Sequence, residues 1–381
     1  MVVKFNYTYY IDEQNTEQYR YTFDQPHVSH VAYTLAEVGR VVTEAEKLQS
    51  EGYYVALYLP YEVAPYYNAQ FKTYTPVDGI YAACYAFESP VEIEEINTVK
   101  AAEQAPMPAF NFAETKETIT ENVRTIQREI VDGWTYQVNY TTRLEARATA
   151  PIHVLYDALT QQANGNYTAL LETDELKVAS ISPELFFQVG SFADAGRTVM
   201  SKPMKGTMPR GVTHAEDQAN YKALQQSAKD RAENIMIVDL LRNDIARIAR
   251  QGTVRVGPLC AIETYPTVYQ MTTMVLGTIT RQTTLNDLLG ALFPCGSITG
   301  APKVHTMSII HRLEPTPRHC YCGTIGLLRP EGNAVFNVPI RTVQQFGERF
   351  VYGVGAGITI DSDPEQEYIE FHDKTRILKG S

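Results

Sequence analysis

The stretch RFVYGVGAGITIDSDPEQEYIEFHDKTRIL, residues 349 to 378, decides the fold class. It opens with aromatic and β-branched residues, passes through glycines at 353, 355 and 357, and ends in a helix-forming run that Pro364 is well placed to start. Strand, glycine-rich run and helix is also the order of a dinucleotide-binding unit. These glycines are not spaced GxGxxG after the strand of a βαβ unit, so that reading has little support. Working outward, the strand-like pieces LCAIETY and NAVFNVPIRTV precede this one without regular strand–helix alternation. The pattern predicts an α+β fold built on large antiparallel sheets flanked by helices.

Further upstream, KETITENVRTIQREIVDG places Ile119, Val123, Ile126 and Ile130 on one helical stripe ended by Gly133. Strand-like YQVNYTTRLEARA, LFFQV and TVM follow, and a single long helix is expected across EDQANYKALQQSAKDRAENIMIVDLLRNDIARIAR, residues 216 to 250. Residues 98 to 114, with Pro106 and Pro108 among alanines, read as a linker. Before them, tyrosine-rich segments such as YYVALYLPYEVAPYY read as strands. Two parts are therefore expected: a strand-rich region with its linker over 1–114, packed on a catalytic core over 115–381.

Composition narrows the function classes. The 33 Lys and Arg against 44 Asp and Glu leave a net charge of −11, the wrong sign for a nucleic-acid or anionic-membrane surface. Apolar runs such as IMIVDLL are broken by charge well short of the roughly 20 residues that span a bilayer, and no signal-peptide core opens the chain. Five cysteines, without CxxC spacing, suit a reducing cytoplasm.

Several residues could carry chemistry. Lys205 lies between Pro203 and Gly206 in SKPMKGTMPRG, a Pro/Gly turn that would fix its direction. Glu367, Glu370 and Lys374 fall at i, i+3 and i+7, so two carboxylates and an ammonium share one helix face. That face is either a site for a hard cation such as Mg²⁺ or a solvated surface. Glu233 precedes an apolar run, where it is either bound to a cation or paired with Arg231 or Lys229. Glu184 follows a proline and precedes aromatics, a setting that raises a carboxyl towards general-acid range. PCGSITGAPKV leads into a helix as a plausible anion-facing N-terminus, its Lys303 either a ligand contact or a surface charge. Arg341, in a strand-like run, is either paired internally or offered to a carboxylate.

The strings WTYQVNYT, SPELFF, KPMKGTMPRG, AENIMIVDLLRND, PCGSITGAPK, YCGTIG, FNVPIRT and GVGAGITIDSDPEQEY occur in this order. In them the chain resembles the chorismate-utilising enzymes, over roughly residues 115 to 378. The resemblance implies an α/β sandwich of antiparallel sheets with the active site between them. Within the family, lysine at 205 resembles the aminodeoxychorismate synthase component I branch, whereas anthranilate synthases usually carry alanine there. What this implies is amination of chorismate at C4 with ammonia. Lys205 would attack C2, the C4 hydroxyl would leave, and ammonia would displace the amine, giving the precursor of para-aminobenzoate in folate biosynthesis. A free lysine titrates near about 10.4, so neutralising one at pH 7.4 costs about 4 kcal/mol.

By the same resemblance Glu184 is the acid that protonates the departing hydroxyl, and Glu233, Glu367 and Glu370 hold Mg²⁺. Gln137, Tyr321, Arg341, Thr299, Lys374 and the backbone of Gly355, Ala356 and Gly357 contact substrate. Gln137 stands where isochorismate and salicylate synthases place a water-activating lysine, and its amide cannot act as a base. Gln270 replaces a histidine that anthranilate synthases associate with pyruvate loss. No nucleophile string of a class I glutamine amidotransferase is present, so the resemblance implies a separate glutaminase subunit as ammonia source. The alternative activity is that of anthranilate synthase component I.

Overall fold

The computed structural model describes residues 1–91, 107–162 and 165–378. Of the expected linker over 98–114, residues 98–106 lie outside the described residues; the rest includes the short strand Asn111–Phe112.

Two nine-stranded antiparallel sheets form the centre. The first runs in the order Gly300–Ala301, Gln137–Arg147, Arg349–Ile358, Thr342–Phe346, Lys177–Ser182, Tyr167–Glu172, Val2–Tyr10 and Thr16–Phe23, with Asn111–Phe112 also on Gln137–Arg147. The second runs Arg255–Val256, Val275–Thr278, Arg197–Lys202, Leu185–Ser191, Ala334–Asn337, Thr324–Leu328, Tyr54–Leu59, Ala82–Phe87 and Val28–Ala32. The strands of the first 114 residues thus continue both sheets: Val2–Tyr10 pairs with Tyr167–Glu172, and Tyr54–Leu59 with Thr324–Leu328.

Strand periodicity sets the faces. In Val2–Tyr10, Val3, Phe5, Tyr7 and Tyr9 point inward on alternate positions. They meet Ala56, Tyr58, Tyr85, Leu327 and Val335 of the second sheet in one buried cluster. The Tyr7 hydroxyl donates to the carbonyl of Ile325 across the interface at 2.9 Å, so a buried polar tip is satisfied. Helices cover the outer faces. Lys116–Val131, Ile152–Gln162, Lys303–Leu313 and Pro364–Asp373 pack on the first sheet, while Val38–Ser50 and Leu285–Leu292 pack on the second. The result is the expected α+β sandwich.

A third, smaller sheet, Met204–Pro209, Val268–Thr272 and Ala261–Thr264, stands apart on its own small core of Leu224, Cys260, Tyr269 and Met271. Two local expectations need correction. The long helix over 216–250 is two helices, His214–Gln226 and Ala228–Ala246, because Ser227 turns extended (ψ 107) and its side chain caps the second by accepting from Asp230 N at 3.2 Å. In YYVALYLPYEVAPYY only Tyr54–Leu59 is strand. The remainder forms a 3₁₀ turn and the short helix Ala64–Tyr67, which Pro65 opens.

Candidate active site

Lys205 reaches its position by a β-bulge rather than by the expected turn. Met204–Pro209 is a strand, but its register with Val268–Thr272 slips between Met204 and Thr207. Gly206 takes φ +83 within the slip, a conformation that glycine adopts without strain. An inserted residue bends a strand and re-aims the side chain beside it. The Lys205 ammonium accordingly enters a cavity of about 540 Å³, where its Nζ lies 3.9 Å from Glu233 Oε2. Both side chains are nearly buried.

Glu184 enters the same cavity from the other side, just ahead of the strand Leu185–Ser191. It is 5% exposed and accepts a 2.7 Å hydrogen bond from Ser297 Oγ. Burial pushes its carboxyl above the usual range, against the smaller opposing effects of Ser297 and the Lys205 charge. Ser297 was missed in the sequence, although it lies inside PCGSITGAPK; that string showed only a helix N-terminus.

The floor is acidic and self-neutralising. The helix Pro364–Asp373 starts at Asp363, whose side chain accepts from Glu365 N and Gln366 N, and it presents Glu367 and Glu370 as the spacing predicts. Lys374 donates to Glu370 Oε1 at 2.8 Å and to the Gly355 carbonyl at 2.6 Å. Lys229 stands 3.8 Å from Glu367 Oε1. Burial raises Glu233 and Glu367, with the Glu370 charge adding to both; burial also opposes ionisation of Glu370, but the Lys374 ammonium more than offsets it and holds that carboxyl low. Of the two pairings expected for Glu233, Lys229 contributes as a nearby charge, but the ion pair at salt-bridge distance is with Lys205.

Tyr321 and Arg341 line the opposite wall. The Tyr321 ring lies flat on Gly353, where a Cβ would sit 2.3 Å from its ring carbons, and the Arg143 guanidinium is 5.4 Å from the ring centre. Arg341 is not in a strand: it occupies the bend between Ala334–Asn337 and Thr342–Phe346 at φ +50, a left-handed backbone uncommon for arginine. Gln137 is buried behind Gly357 with its Oε1 unpartnered. A Cβ on Gly357 would meet Gln137 Nε2 at 2.1 Å and Lys205 Nζ at 3.4 Å, so the amide and the amine share that glycine.

Some expected residues stay outside the lining, among them the buried Gln137 and Glu367. Thr299 is fully buried, and its hydroxyl is used on the Cys295 carbonyl at 2.9 Å; Ala356 points away into the helix-side core. Lys303 is neither ligand contact nor surface charge but pairs with Asp244 at 2.7 Å, and this anchors its helix to Ala228–Ala246. Lys205, Glu184, Glu233, Glu370, Tyr321, Arg341, Lys374, Gly355 and Gly357 all border the one cavity.

This arrangement of facing acids and amines between two antiparallel sheets can be compared with known proteins. The profile of the chorismate binding enzyme family matches residues 6–380. The chain belongs to this family. As a chorismate binding enzyme it is 39% identical over 266 residues to aminodeoxychorismate synthase component 1 of Escherichia coli, covering 70% of this chain and 58% of that protein. It is 37% identical over 289 residues to the protein of the same name from Bacillus subtilis, covering 75% of this chain and 60% of that one. Anthranilate synthase component 1 1 of Haloarcula marismortui matches at 39% over 266 residues, covering 69% and 53%. The matched stretch therefore spans somewhat more than half of these relatives. Anthranilate synthase component I of Streptococcus pneumoniae shares the fold with a TM-score of 0.76 at 21% identity, over 99% of this chain and 90% of that one. The menaquinone-specific isochorismate synthase of Escherichia coli superposes with a TM-score of 0.71 at 17% identity, over 99% and 88%.

The family resemblance implies Mg²⁺, and the acidic floor can be tested for it. Among the described residues no three His, Cys, Asp or Glu converge as a ready-made metal site. The chemistry of the donors nevertheless fits a hard cation. Glu233 and Glu370 face the cavity, Glu370 acts electrostatically on both Glu233 and Glu367, and Glu367 Oε2 is a buried carboxylate oxygen with no hydrogen-bond partner. Among the described residues no helix is long and apolar enough to cross a membrane.

Proposed function

We propose that this protein is a Mg²⁺-dependent aminodeoxychorismate synthase component I that replaces the C4 hydroxyl of chorismate with ammonia. The observation that carries the reading is the presence of an amine, Lys205, and a buried acid, Glu184, in one cavity, close enough that the lysine charge acts on the carboxyl. Glu233, Glu367 and Glu370 would hold Mg²⁺, which would neutralise negative charge brought in by the substrate.

The chain's own residues then divide the work. Arg341, the Tyr321 hydroxyl and the N–H groups beside Gly355 orient the substrate carboxylates, with guanidinium and backbone donors suited to that geometry. Lys205 Nζ, without its proton, forms a bond to C2 while the two ring double bonds shift and the C4–O bond breaks. Glu184, whose carboxyl burial pushes above the usual range, gives its proton to the departing hydroxyl, which leaves as water. Ammonia then bonds to C4, the double bonds shift back, and the C2–Nζ bond breaks. Gln137, an amide beside Lys205, has no basic nitrogen with which to activate water in ammonia's place. A separate glutamine amidotransferase subunit would supply the ammonia, and the "component 1" names of the relatives support such a partner.

A second reading, anthranilate synthase, draws on the Haloarcula relative at 39% identity. Incubating the pure chain with chorismate, ammonium and Mg²⁺ and resolving products by mass separates the two. Aminodeoxychorismate is the expected product; anthranilate with pyruvate supports the second reading, and unchanged chorismate rejects both.

A further inference from the structure

The bulge that aims Lys205 leaves one backbone group in need of a partner. Where the register slips between Met204 and Thr207, Gly206 cannot exchange ladder hydrogen bonds with the neighbouring strand. Its carbonyl instead accepts from Gln270 Nε2 at 2.7 Å, and Thr207 Oγ1 donates to Gln270 Oε1 at 2.7 Å. A carbonyl can only accept, so the amide nitrogen must face Gly206, and the amide oxygen is thereby turned to Thr207. One side chain on Val268–Thr272, 7% exposed and on the cavity lining, thus holds the adjacent residues Gly206 and Thr207, where regular register resumes after Lys205. Space reinforces the geometry from the other side: a Cβ on Gly206 would lie 2.8 Å from Asp230. The strand therefore cannot relax towards the helix Ala228–Ala246.

We propose that Gln270 is a positioning residue that acts through Lys205: its amide locks the bulge and so delivers the amine to the cavity. The proposal rests on the reading of Lys205 as the attacking group. Without the amide, the Gly206 carbonyl loses its partner in a partly buried place, and the strand gains by sliding into regular register. A one-residue slip in a strand turns each side chain to the other face, which would take Lys205 out of the cavity.

Gln270→Met keeps the volume and removes both hydrogen bonds. We expect kcat for amination to fall roughly 10- to 100-fold while the dissociation constant for chorismate changes less than about threefold. Lys205 labelling by acetic anhydride, followed by peptide mass spectrometry, should become faster as the amine leaves its pocket. Thr207→Val should show the same signs more weakly, and Thr207→Ser should restore parental values, with melting curves reporting that each variant is folded. Parental kcat and parental Lys205 labelling in Gln270→Met and in Thr207→Val would overturn the proposal. Equal effects in Thr207→Val and Thr207→Ser would overturn it too. Full amination by Lys205→Ala would instead refute the nucleophile, while the labelling rates still judge the clamp.

Discussion

Gly353→Ala adds one methyl at the point where the proposed substrate wall is thinnest. Gly353 pairs with Arg143 in the ten-residue ladder between Arg349–Ile358 and Gln137–Arg147, which holds its backbone in place. The new carbon would lie 2.3 Å from two Tyr321 ring carbons and 2.7 Å from a third, whereas ordinary contact begins at 3.4 Å. The ring must withdraw by roughly 1 Å, a distance that costs about 10²-fold in rate when it displaces a positioning group. Arg143 stands 5.4 Å from the ring centre, held by Glu314 at 3.2 Å and Thr141 at 2.8 Å, both buried, so the ring cannot withdraw towards it and moves into the cavity instead. Overpacking of this kind costs about 1–3 kcal/mol of stability. Steady-state kinetics with chorismate together with thermal melting read both effects. The expected result is a folded variant with a lowered melting temperature and kcat/KM down by about two orders of magnitude. A variant with parental kcat/KM would show that Tyr321 does not orient the substrate, whatever happens to its stability.

Other perturbations follow from single contacts. Glu370→Gln keeps the shape but removes one carboxylate from the acidic floor, and the Mg²⁺ concentration for half-maximal activity should rise by about tenfold or more; an unchanged titration removes Glu370 from the ligands. Ser297→Ala deletes the hydrogen bond that favours the Glu184 carboxylate, so the alkaline fall in kcat/KM, where the acid loses its proton, should move to higher pH. A profile that stays in place would argue against Glu184 as the acid. His319 is pushed down to about 3, first by burial and then by the Arg143 and Arg349 charges. Below about pH 6.5 the unfolded chain gains this proton and the folded one does not, so stability falls as pH drops from 6.5 towards 3, by about 4 kcal/mol in all. Replacing it with Asn, which tolerates its left-handed backbone, should flatten that limb of a denaturation series, and an equally steep limb would reject the assignment.

The sequence exposed most readily what depends on period and spacing. The stripe of Ile119, Val123 and Ile126 became the buried face of Lys116–Val131, and the positions of Glu367, Glu370 and Lys374 on one helix face followed from 3.6-residue geometry. Pairing across the chain was not legible in the same way. The Lys205 bulge depends on Gln270, which is far away in sequence, so the local Pro/Gly context suggested a turn. Arg341 sits among strand-forming residues, yet the chain bends there because Ile181 N takes the Arg341 carbonyl as its partner from a neighbouring strand. Thr299 lies in a string rich in small polar residues, and only the folded chain shows that its hydroxyl is turned inward. The break at Ser227 was readable in principle: Ser followed three residues later by Asp230 is an N-cap pattern, hidden here by strong helix formers on both sides.

The claim on which the mechanism turns is that the Lys205 amine bonds to the substrate ring. Intact-protein and peptide mass spectrometry of the chain mixed with chorismate and Mg²⁺, with ammonia withheld, tests it most directly. The account predicts a peptide containing Lys205 that is heavier by chorismate less one water and that reverts to its free mass when ammonium is added. An unmodified Lys205 throughout, with amination still sustained by Lys205→Ala, would contradict it.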